Sequence, residues 1–306
     1  MTFEITILGS SSALPTSLRH TTAHLFNMNE RFFLIDCGEG AQIRMRQYHL
    51  SPAKINHIFI THLHGDHVFG LFGLISSLGL MGRKVPLNLY GPSQLQDVVE
   101  SHLKFYGPLK FELNFHIADH GKTVYSDGKL EVRSLRLKHR SDTFGYIFKE
   151  RPPLPNIRKE VIARYRLGVE DIKNIKEGKD FITREGQCIP NSELTLPPIK
   201  PRSYAFISDT AYLPGLVNDL KDVDLLYHEA TFLDKDAALA EETMHSTARQ
   251  AAVIAKDAGV GKLVIGHFST RYKKTALFEQ EAAAVFPNVS VAKDGDKFDL
   301  PIRRQS

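Results

Sequence analysis

The chain has 306 residues, of which 42% are hydrophobic and 24% charged, a composition typical of a globular protein with a substantial core. A formal net charge of +4 permits an anionic partner without requiring one. No apolar run approaches the roughly 20 residues that cross a bilayer, and no Lys- or Arg-led apolar leader opens the chain, so we expect a soluble, cytoplasmic protein.

Short apolar runs that end in glycine or polar residues alternate with helical patterns along the chain. In chain order, strands are predicted over 3–9, 31–38, 55–62, 86–92, 130–139, 203–210, 224–231 and 262–269. A helix is predicted over 93–107 with Ser93 as its N-cap, and another over 246–259 with Ser246 as N-cap and Gly259 as terminator. The alternation predicts an α/β layered fold.

Residues 151–200 interrupt this alternation. They hold six of the fifteen prolines, and ten Lys or Arg residues against seven Asp or Glu, so +3 of the net charge lies in this segment. The segment is predicted to be an insertion that projects from the core. Because a structureless loop of this length is improbable in a compact domain, we expect it to carry structure of its own.

The stretch "FITHLHGDHVFG" (59–70) places His62, His64, Asp66 and His67 directly after an apolar run. A lone histidine is more often a surface or core residue than a ligand, but four such residues within six positions favour a metal site. Other candidates end later predicted strands: His139, Asp209, His228, Glu229 and His267. Strand ends in layered α/β proteins gather at one edge, so we expect these side chains to meet.

A metal site in this chain has to use histidine and carboxylate ligands. The only cysteines, Cys37 and Cys188, are too few for a disulfide framework and fit a reducing compartment. Imidazole and carboxylate suit Zn²⁺, and the number of candidate ligands predicts two metals. Such a donor set also accepts Mn²⁺, Fe²⁺ or Co²⁺.

These motifs carry a resemblance. H-x-H-x-D-H followed by a later His, Asp and His at strand ends resembles the metallo-β-lactamase superfamily of αβ/βα hydrolases. The motifs "FISDT" (206–210), "HEAT" (228–231), "HST" (245–247) and "GHFSTRY" (266–272), with the insertion before them, resemble the ribonuclease Z family of tRNA 3′-processing endonucleases, in its short form. The resemblance implies a four-layer αβ/βα sandwich, a single domain over 1–306, from which the basic arm at about 151–200 projects.

The resemblance also implies a ligand set. One Zn²⁺ would be held by His62, His64 and His139, the other by Asp66, His67 and His267, with Asp209 bridging the two. A hydroxide between two zinc ions would attack the phosphodiester of precursor tRNA, since two Zn²⁺ lower the pKa of water toward neutrality. Asp66 would also take up the proton of the water.

Further roles follow from the same resemblance. His245 would protonate the leaving ribose 3′-oxygen, supported by Glu229, because histidine suits proton transfer near neutral pH. Asp36 is expected to lie behind the ligands and to orient a ligand histidine, and His228 is either a second such residue or only a flanking residue of the "HEAT" motif. Residues expected to bind substrate phosphates are Arg271, Arg19, and Ser246 and Thr247 through free N–H groups at a helix start.

Three stretches depart from the family pattern. Gly9 is followed by three serines where the family is glycine-rich, and the loop that senses a mature CCA end reads "PTSLRH", with Ser17 at a Lys position and His20 at an Asn position. The arm has Gly168 but no following proline. The arm is expected to grip tRNA through phosphate contacts, and relatives imply a homodimer.

Alternative functions remain open from the sequence. One is a small-molecule phosphodiesterase or another hydrolase of the same fold, although a small substrate would not require the basic arm. A second is a ribonuclease with added 3′-exonuclease activity. A third is a metal-free RNA-binding or scaffold protein, which the complete set of expected ligands disfavours.

Overall fold

The computed structural model describes residues 2–105 and 108–304. The end of the helix predicted over 93–107, Tyr106 and Gly107, lies outside the described residues. In chain order, strands β1 to β18 span Phe3–Gly9, Ala23–Met28, Arg31–Ile35, Ile55–Phe59, Leu87–Gly91, Leu113–Ile117, Thr123–Ser126, Leu130–Arg136, Phe144–Glu150, Phe181–Ile182, Cys188–Ile189, Ile199–Lys200, Ser203–Ile207, Leu225–Glu229, Lys262–Gly266, Val289–Val291, Lys297–Asp299 and Arg303–Arg304. Helices α1 to α10 span Ala41–Gln47, Gly65–Leu80, Leu95–Leu103, Lys159–Tyr165, Val169–Lys176, Asn191–Leu194, Leu216–Asp219, Ala237–Thr243, Ala248–Asp257 and Ala276–Ala283.

Two seven-stranded sheets organise the chain. The first has the order β17-β1-β2-β3-β4-β5-β6, parallel from β3 to β6 and antiparallel elsewhere. The second has the order β16-β15-β14-β13-β9-β8-β7, parallel from β16 to β13 and antiparallel elsewhere. Parallel neighbours are joined through helices, which explains the alternation seen in the sequence.

The sheets and helices pack in four layers. Phe26 and Phe59 of the first sheet meet Phe148 and Tyr204 of the second in the central core. Helices α1 to α3 cover the outer face of the first sheet, and α7, α9 and α10 cover the outer face of the second. The predicted αβ/βα sandwich is therefore confirmed. It follows from strands that are apolar on both faces, because each sheet is buried between a helical layer and the other sheet.

Two predicted helix caps are wrong. Helix α3 begins at Leu95 with Gln94 before it, and Ser93 makes no cap. Helix α9 begins at Ala248, and Thr247 rather than Ser246 is the N-cap. The Thr247 hydroxyl accepts the N–H of Gln250, whose side chain accepts the N–H of Thr247. This capping box is available to Thr247 because a glutamine stands three residues after it.

The segment 151–200 carries structure of its own, as predicted. Helices α4, α5 and α6 and the hairpin of β10 and β11 pack around a small apolar cluster of Ile157, Val161, Leu167, Ile175, Ile189 and Leu194. At its end, β12 pairs with β18 near the C-terminus. No helix of the described residues is at once long and apolar enough to span a membrane.

Candidate metal centre

The candidate ligands lie together at one edge of the two sheets. His62 follows β4, and His139, Asp209 and His267 follow β8, β13 and β15. These last three strands run in the same direction, because β8 and β13 are each antiparallel to β9 and β15 is parallel to its neighbours. Their carboxyl ends therefore meet. Asp66 and His67 lie in the first turn of α2, where a loop was expected.

One group of four side chains could hold a metal ion: His62, His64, His139 and Asp209. His62 Nε2 lies 2.9 Å from His64 Nδ1 and 3.6 Å from Asp209 Oδ2. His139 Nε2 lies 3.8 Å from the same carboxylate oxygen. Ligands that share a tetrahedral Zn²⁺ at about 2.0–2.1 Å stand roughly 3.3 Å apart, so these spacings fit one ion.

A second group of four consists of Asp66, His67, Asp209 and His267. His67 Nε2 and His267 Nε2 lie 3.3 and 3.0 Å from Asp209 Oδ1, and 3.5 and 3.4 Å from Asp66 Oδ2. Both Nε2 atoms are buried without a hydrogen-bond partner. Buried imidazole nitrogens without partners are costly unless something binds them, and a cation fits. Asp209 therefore faces the first group with Oδ2 and the second group with Oδ1.

The electrostatics favour cations at this centre. Asp36, Asp66, Asp209 and Glu229 bring four carboxylates together with at most 10% exposure of their side chains. Burial lowers the pKa of His67, but the carboxylates of Asp209, Asp66 and Asp36 outweigh it and raise that pKa well above the usual value. Divalent cations at this centre would offset the charge of these four carboxylates.

Hydrogen bonds behind the ligands hold the imidazole rings. Asp36 contacts His67 Nδ1 at 2.7 Å, as the predicted orienting role requires, and it accepts the N–H of Thr61 at 2.8 Å. The Thr61 hydroxyl also lies 3.0 Å from His62 Nδ1. With Nδ1 engaged, each ring presents Nε2 to the centre.

The other half of the centre is held in the same way. Thr231 Oγ1 lies 2.9 Å from His267 Nδ1, and the backbone oxygen of Met244 lies 3.0 Å from His139 Nδ1. Thr61, Thr231 and Met244 were not predicted from the sequence. The available signal was position, since Thr61 precedes His62 and Thr231 ends the "HEAT" motif.

Left-handed backbone conformations are concentrated at the centre. Asp36, Asp209 and His267 have φ of 54°, 53° and 60°, and Ala13 beside them has 59°. Such a conformation costs a non-glycine residue roughly 1–2 kcal/mol and persists only where the surrounding structure enforces it. The chain accepts this strain in order to turn the side chains inward at the ends of β3, β13 and β15.

His245 and Glu229 form a pair beside the ligands. His245 Nδ1 lies 2.8 Å from Glu229 Oε1, and Glu229 also accepts the N–H groups of Thr210 and Thr231. Burial lowers the pKa of His245, but the carboxylates of Glu229, Asp209 and Asp66 together outweigh it, with Glu229 contributing most, and raise the pKa to about 9. The ring lies between His139 and His267, with centroids 5.1 and 5.5 Å away. A protonated imidazole is therefore held next to the metal ligands.

Ser246 and Thr247, which were expected to bind phosphate, use their donors within the protein. The N–H groups of Thr247, Ala248, Arg249 and Gln250 are all taken within the protein, so the expectation of free N–H groups at this helix start is wrong. The hydroxyl of Ser246 is likewise taken, since it donates to the backbone oxygen of Thr210. The capping box uses the N–H groups of Thr247 and Gln250, and Glu281, which is distant in the sequence, accepts the N–H of Arg249.

Two arginines and His228 complete the predicted set. Arg19 donates to the backbone oxygen of Tyr272 and, with Thr270 and Asp294, lines a cavity of about 590 Å³. Arg271 is exposed and stacks over the ring of Phe232. His228 is buried outside both ligand groups, with Nδ1 2.7 Å from the backbone oxygen of Glu229.

Comparison with known proteins gives full-length matches. Ribonuclease Z of Bacteroides fragilis is 45% identical over 295 residues, which cover 95% of this chain and 97% of that protein. Ribonuclease Z of Parabacteroides distasonis is 45% identical over 301 residues, covering 97% and 99%. The crystal structure of human tRNase Z, short form, has a TM-score of 0.71 and 26% identity and covers 97% of this chain and 99% of that one. A family model described as anti-Pycsar protein Apyc1 matches residues 3–144.

Proposed function

The chain belongs to the ribonuclease Z family, and from that membership we propose that it is a metal-dependent endoribonuclease that removes the 3′ trailer from precursor tRNA. The observation that carries the proposal is the full-length match together with a complete set of histidine and carboxylate ligands at one edge of the sheets. Cleavage would leave a 3′-hydroxyl on the tRNA and a 5′-phosphate on the trailer.

The metal is proposed to be zinc, with two ions per chain. His62, His64 and His139 would hold one ion, Asp66, His67 and His267 the other, and Asp209 would serve both through its two oxygens. Support comes from the spacing of the ligand atoms and from the buried Nε2 atoms of His67 and His267. When bound, the ions would lower the pKa of a water nucleophile and offset the charge of the phosphate. Mn²⁺, Fe²⁺ or Co²⁺ would suit the same ligands.

The protein groups would then handle the protons. Asp66 is proposed to accept the proton of the attacking water, since its carboxylate lies between the two histidines His67 and His267. His245 is proposed to donate a proton to the departing ribose oxygen through Nε2, because its Nδ1 is engaged by Glu229. Expelling a ribose oxygen near neutral pH needs such an acid. Arg19 and Arg271 are proposed to contact substrate phosphates near the centre.

The arm, residues 151–200, is proposed to bind the body of the tRNA. Its basic residues Arg164, Arg166, Lys173 and Arg184 are exposed. Within the described parts of the chain, no carboxylate oxygen lies within 4.0 Å of their side-chain nitrogens. Unpaired exposed cations on a projecting element suit a phosphate backbone, which provides affinity independent of sequence. A small substrate would make no use of them.

The enzyme is further proposed to be a cytoplasmic homodimer. Both cysteines are free thiols, which fits a reducing compartment. Large apolar side chains are exposed around α2 and α3, among them Phe69 at 63%, Leu80 at 88% and Phe105 at 87%. Apolar side chains grouped on one face suit an interface between copies of the chain. Light scattering of the purified protein measures the oligomeric state directly.

The function is tested with purified, zinc-loaded protein and a 3′-extended precursor tRNA. The parent protein is expected to make a single cut at the acceptor end and to hydrolyse bis(p-nitrophenyl) phosphate. The cut should be absent with the variant His64→Ala. Turnover of the small phosphodiester with intact precursor tRNA would refute the RNA assignment and support a small-molecule phosphodiesterase. Progressive shortening of the tRNA end would indicate added exonuclease activity. Cleavage of a CCA-ended substrate measures how strongly the enzyme, with Ser17 and His20 in the altered loop, discriminates against a mature CCA end.

The arm is tested by charge removal. A quadruple alanine variant removes the charges of Arg164, Arg166, Lys173 and Arg184. It is expected to raise KM for precursor tRNA. The slope of log affinity for precursor tRNA against log salt concentration should become shallower by up to about 0.9 per lost phosphate contact. Hydrolysis of the small phosphodiester should be unchanged. The matched control replaces exposed lysines outside the arm: Lys84, Lys104, Lys221 and Lys256. Equal effects of the two quadruple variants would contradict a specific role of the arm.

A further inference from the structure

The segment from Ser10 to His20 lies directly against the metal centre. The N–H of Ala13 donates to Asp66 Oδ2 at 2.8 Å. The backbone oxygen of Ser10 accepts the N–H of Phe268 at 3.0 Å, and the N–H of Ser12 donates to the oxygen of Phe268 at 3.1 Å. Phe268 follows His267, so this segment contacts two of the three chain segments that supply the second ligand group.

The other side of the segment is held by Asp294. Its Oδ1 accepts the hydroxyl of Ser10 at 2.8 Å, and its Oδ2 accepts the N–H of His20 at 2.7 Å and lies 3.1 Å from His20 Nδ1. Arg44 Nη2 lies 3.8 Å from Oδ2. The Asp294 side chain is 4% exposed. One buried carboxylate therefore ties both ends of the segment to the turn after β16.

The segment needs such anchors. Ala13 adopts a left-handed conformation with φ of 59°, which an alanine avoids unless neighbouring contacts enforce it. The N–H of Ser11 donates to the oxygen of His20 at 2.9 Å, so the segment is closed at His20 and next to Ser10, the two residues that Asp294 binds. The Asp294 contacts with Ser10 and His20 act together with the backbone bonds to Phe268 to hold this segment, so their loss is expected to loosen the position of the Ala13 N–H beside Asp66.

We propose that Asp294 is a positioning residue for the metal centre, because it fixes the segment whose Ala13 N–H orients the Asp66 carboxylate. The inference rests on the proposed roles of Asp66 and deepens them. Asp66 Oδ2 lies within 3.5 Å of the Nε2 atoms of both His67 and His267, so a shift of this oxygen changes the ligand geometry. Displacements of about 1 Å at a reacting group can reduce rates by about 100-fold.

Three variants in the full-length chain test the role of Asp294. Asp294→Ala removes both anchors, whereas Asp294→Asn retains them, since its oxygen can accept from His20 and its amide can donate to the Ser10 hydroxyl. Asp296→Ala is the matched control, because among residues 2–105 and 108–304 the Asp296 carboxylate accepts only the N–H of Lys293 in the same turn. Zinc affinity by chelator competition, kcat and KM are measured with precursor tRNA and with bis(p-nitrophenyl) phosphate.

We expect Asp294→Ala to lower kcat about tenfold or more on both substrates, with KM for precursor tRNA within about twofold, and to weaken zinc binding about tenfold. Asp294→Asn should stay within about threefold of the parent, and Asp296→Ala should be unchanged. A rise in KM with unchanged kcat, or equal losses in the alanine and asparagine variants, would overturn the proposal.

Two measures keep these outcomes distinct. If Asp294→Ala does not fold, Ser10→Ala removes one anchor alone and should lower kcat about threefold, while an unchanged kcat would refute the role. The small phosphodiester reports on the metal centre by itself. A loss of kcat on that substrate therefore supports the inference even if precursor tRNA is not cleaved, in which case only the proposed function fails.

Discussion

Replacing Glu229 with glutamine is expected to slow precursor-tRNA cleavage at alkaline pH and to leave the rate near pH 6 almost unchanged. Glu229 is fully buried and lies 2.8 Å from His245 Nδ1. It is also outside the two groups of four proposed ligands, so its replacement leaves both donor sets intact. Glutamine keeps the shape of the side chain and removes its charge.

The size of the effect follows from the pKa of His245. Burial lowers this pKa, and the carboxylates of Glu229, Asp209 and Asp66, with Glu229 contributing most, together raise it to about 9 from an ordinary value of 6.5. Losing the Glu229 charge while Asp209 and Asp66 still offset part of the burial should return the pKa to about 6.5, a change of roughly 3 kcal/mol in favour of the neutral ring. The acid must be protonated to act, and protonation is lost as pH rises through the pKa. At about pH 8 the protonated fraction would fall from about 90% to about 3%, a decrease of about 30-fold, and at about pH 6 by less than about twofold.

The assay is a pH profile of kcat for zinc-loaded parent and Glu229→Gln proteins. Precursor tRNA is compared with bis(p-nitrophenyl) phosphate, whose nitrophenolate leaves without a proton donor. The variant should lose activity on precursor tRNA at alkaline pH and retain it on the aryl ester. An equal loss at about pH 6 and 8, or an equal loss on both substrates, would refute the proton-donor role and indicate that Glu229 only supports the structure.

Three further predictions concern metal binding and stability. Asp209→Asn offers one oxygen in place of two, so metal content by elemental analysis should fall from about two ions per chain to one or fewer, and unchanged content would contradict a shared ligand. Thr231→Val removes the hydroxyl that lies 2.9 Å from His267 Nδ1 and should weaken zinc binding about 10–100-fold in chelator titrations. Thr243→Val is its control, because that hydroxyl bonds only a helix carbonyl, and an equal loss there would rule out a specific effect. Phe148→Ala, at a fully buried position between the sheets, should lower the free energy of unfolding in urea by about 3–5 kcal/mol, and a loss below about 1 kcal/mol would contradict the packing.

The differences between the expected and observed elements have a common cause. Several predicted strands were too long, because they included the ligand residues that follow the last sheet hydrogen bond: β8 ends at Arg136 rather than at His139, and β13 at Ile207 rather than at Thr210. Strand β2 and helix α2 were not predicted. The motif residues at the start of α2 hid its helical pattern, since polar ligands occupy its first turn.

The sequence by itself determined the layered fold, the metal-ligand residue types and their place after strands, because apolar periodicity and motif spacing are local properties of the chain. It also predicted that Asp36 would support a ligand histidine, and the 2.7 Å contact with His67 fits that role. Only the tertiary structure decided that the two oxygens of Asp209 face different histidine groups and that Thr247 caps α9. It also decided that Asp294 anchors the segment touching Asp66. Those relations join residues up to 284 positions apart, and their geometry depends on how the two sheets pack and on left-handed turns that packing alone enforces.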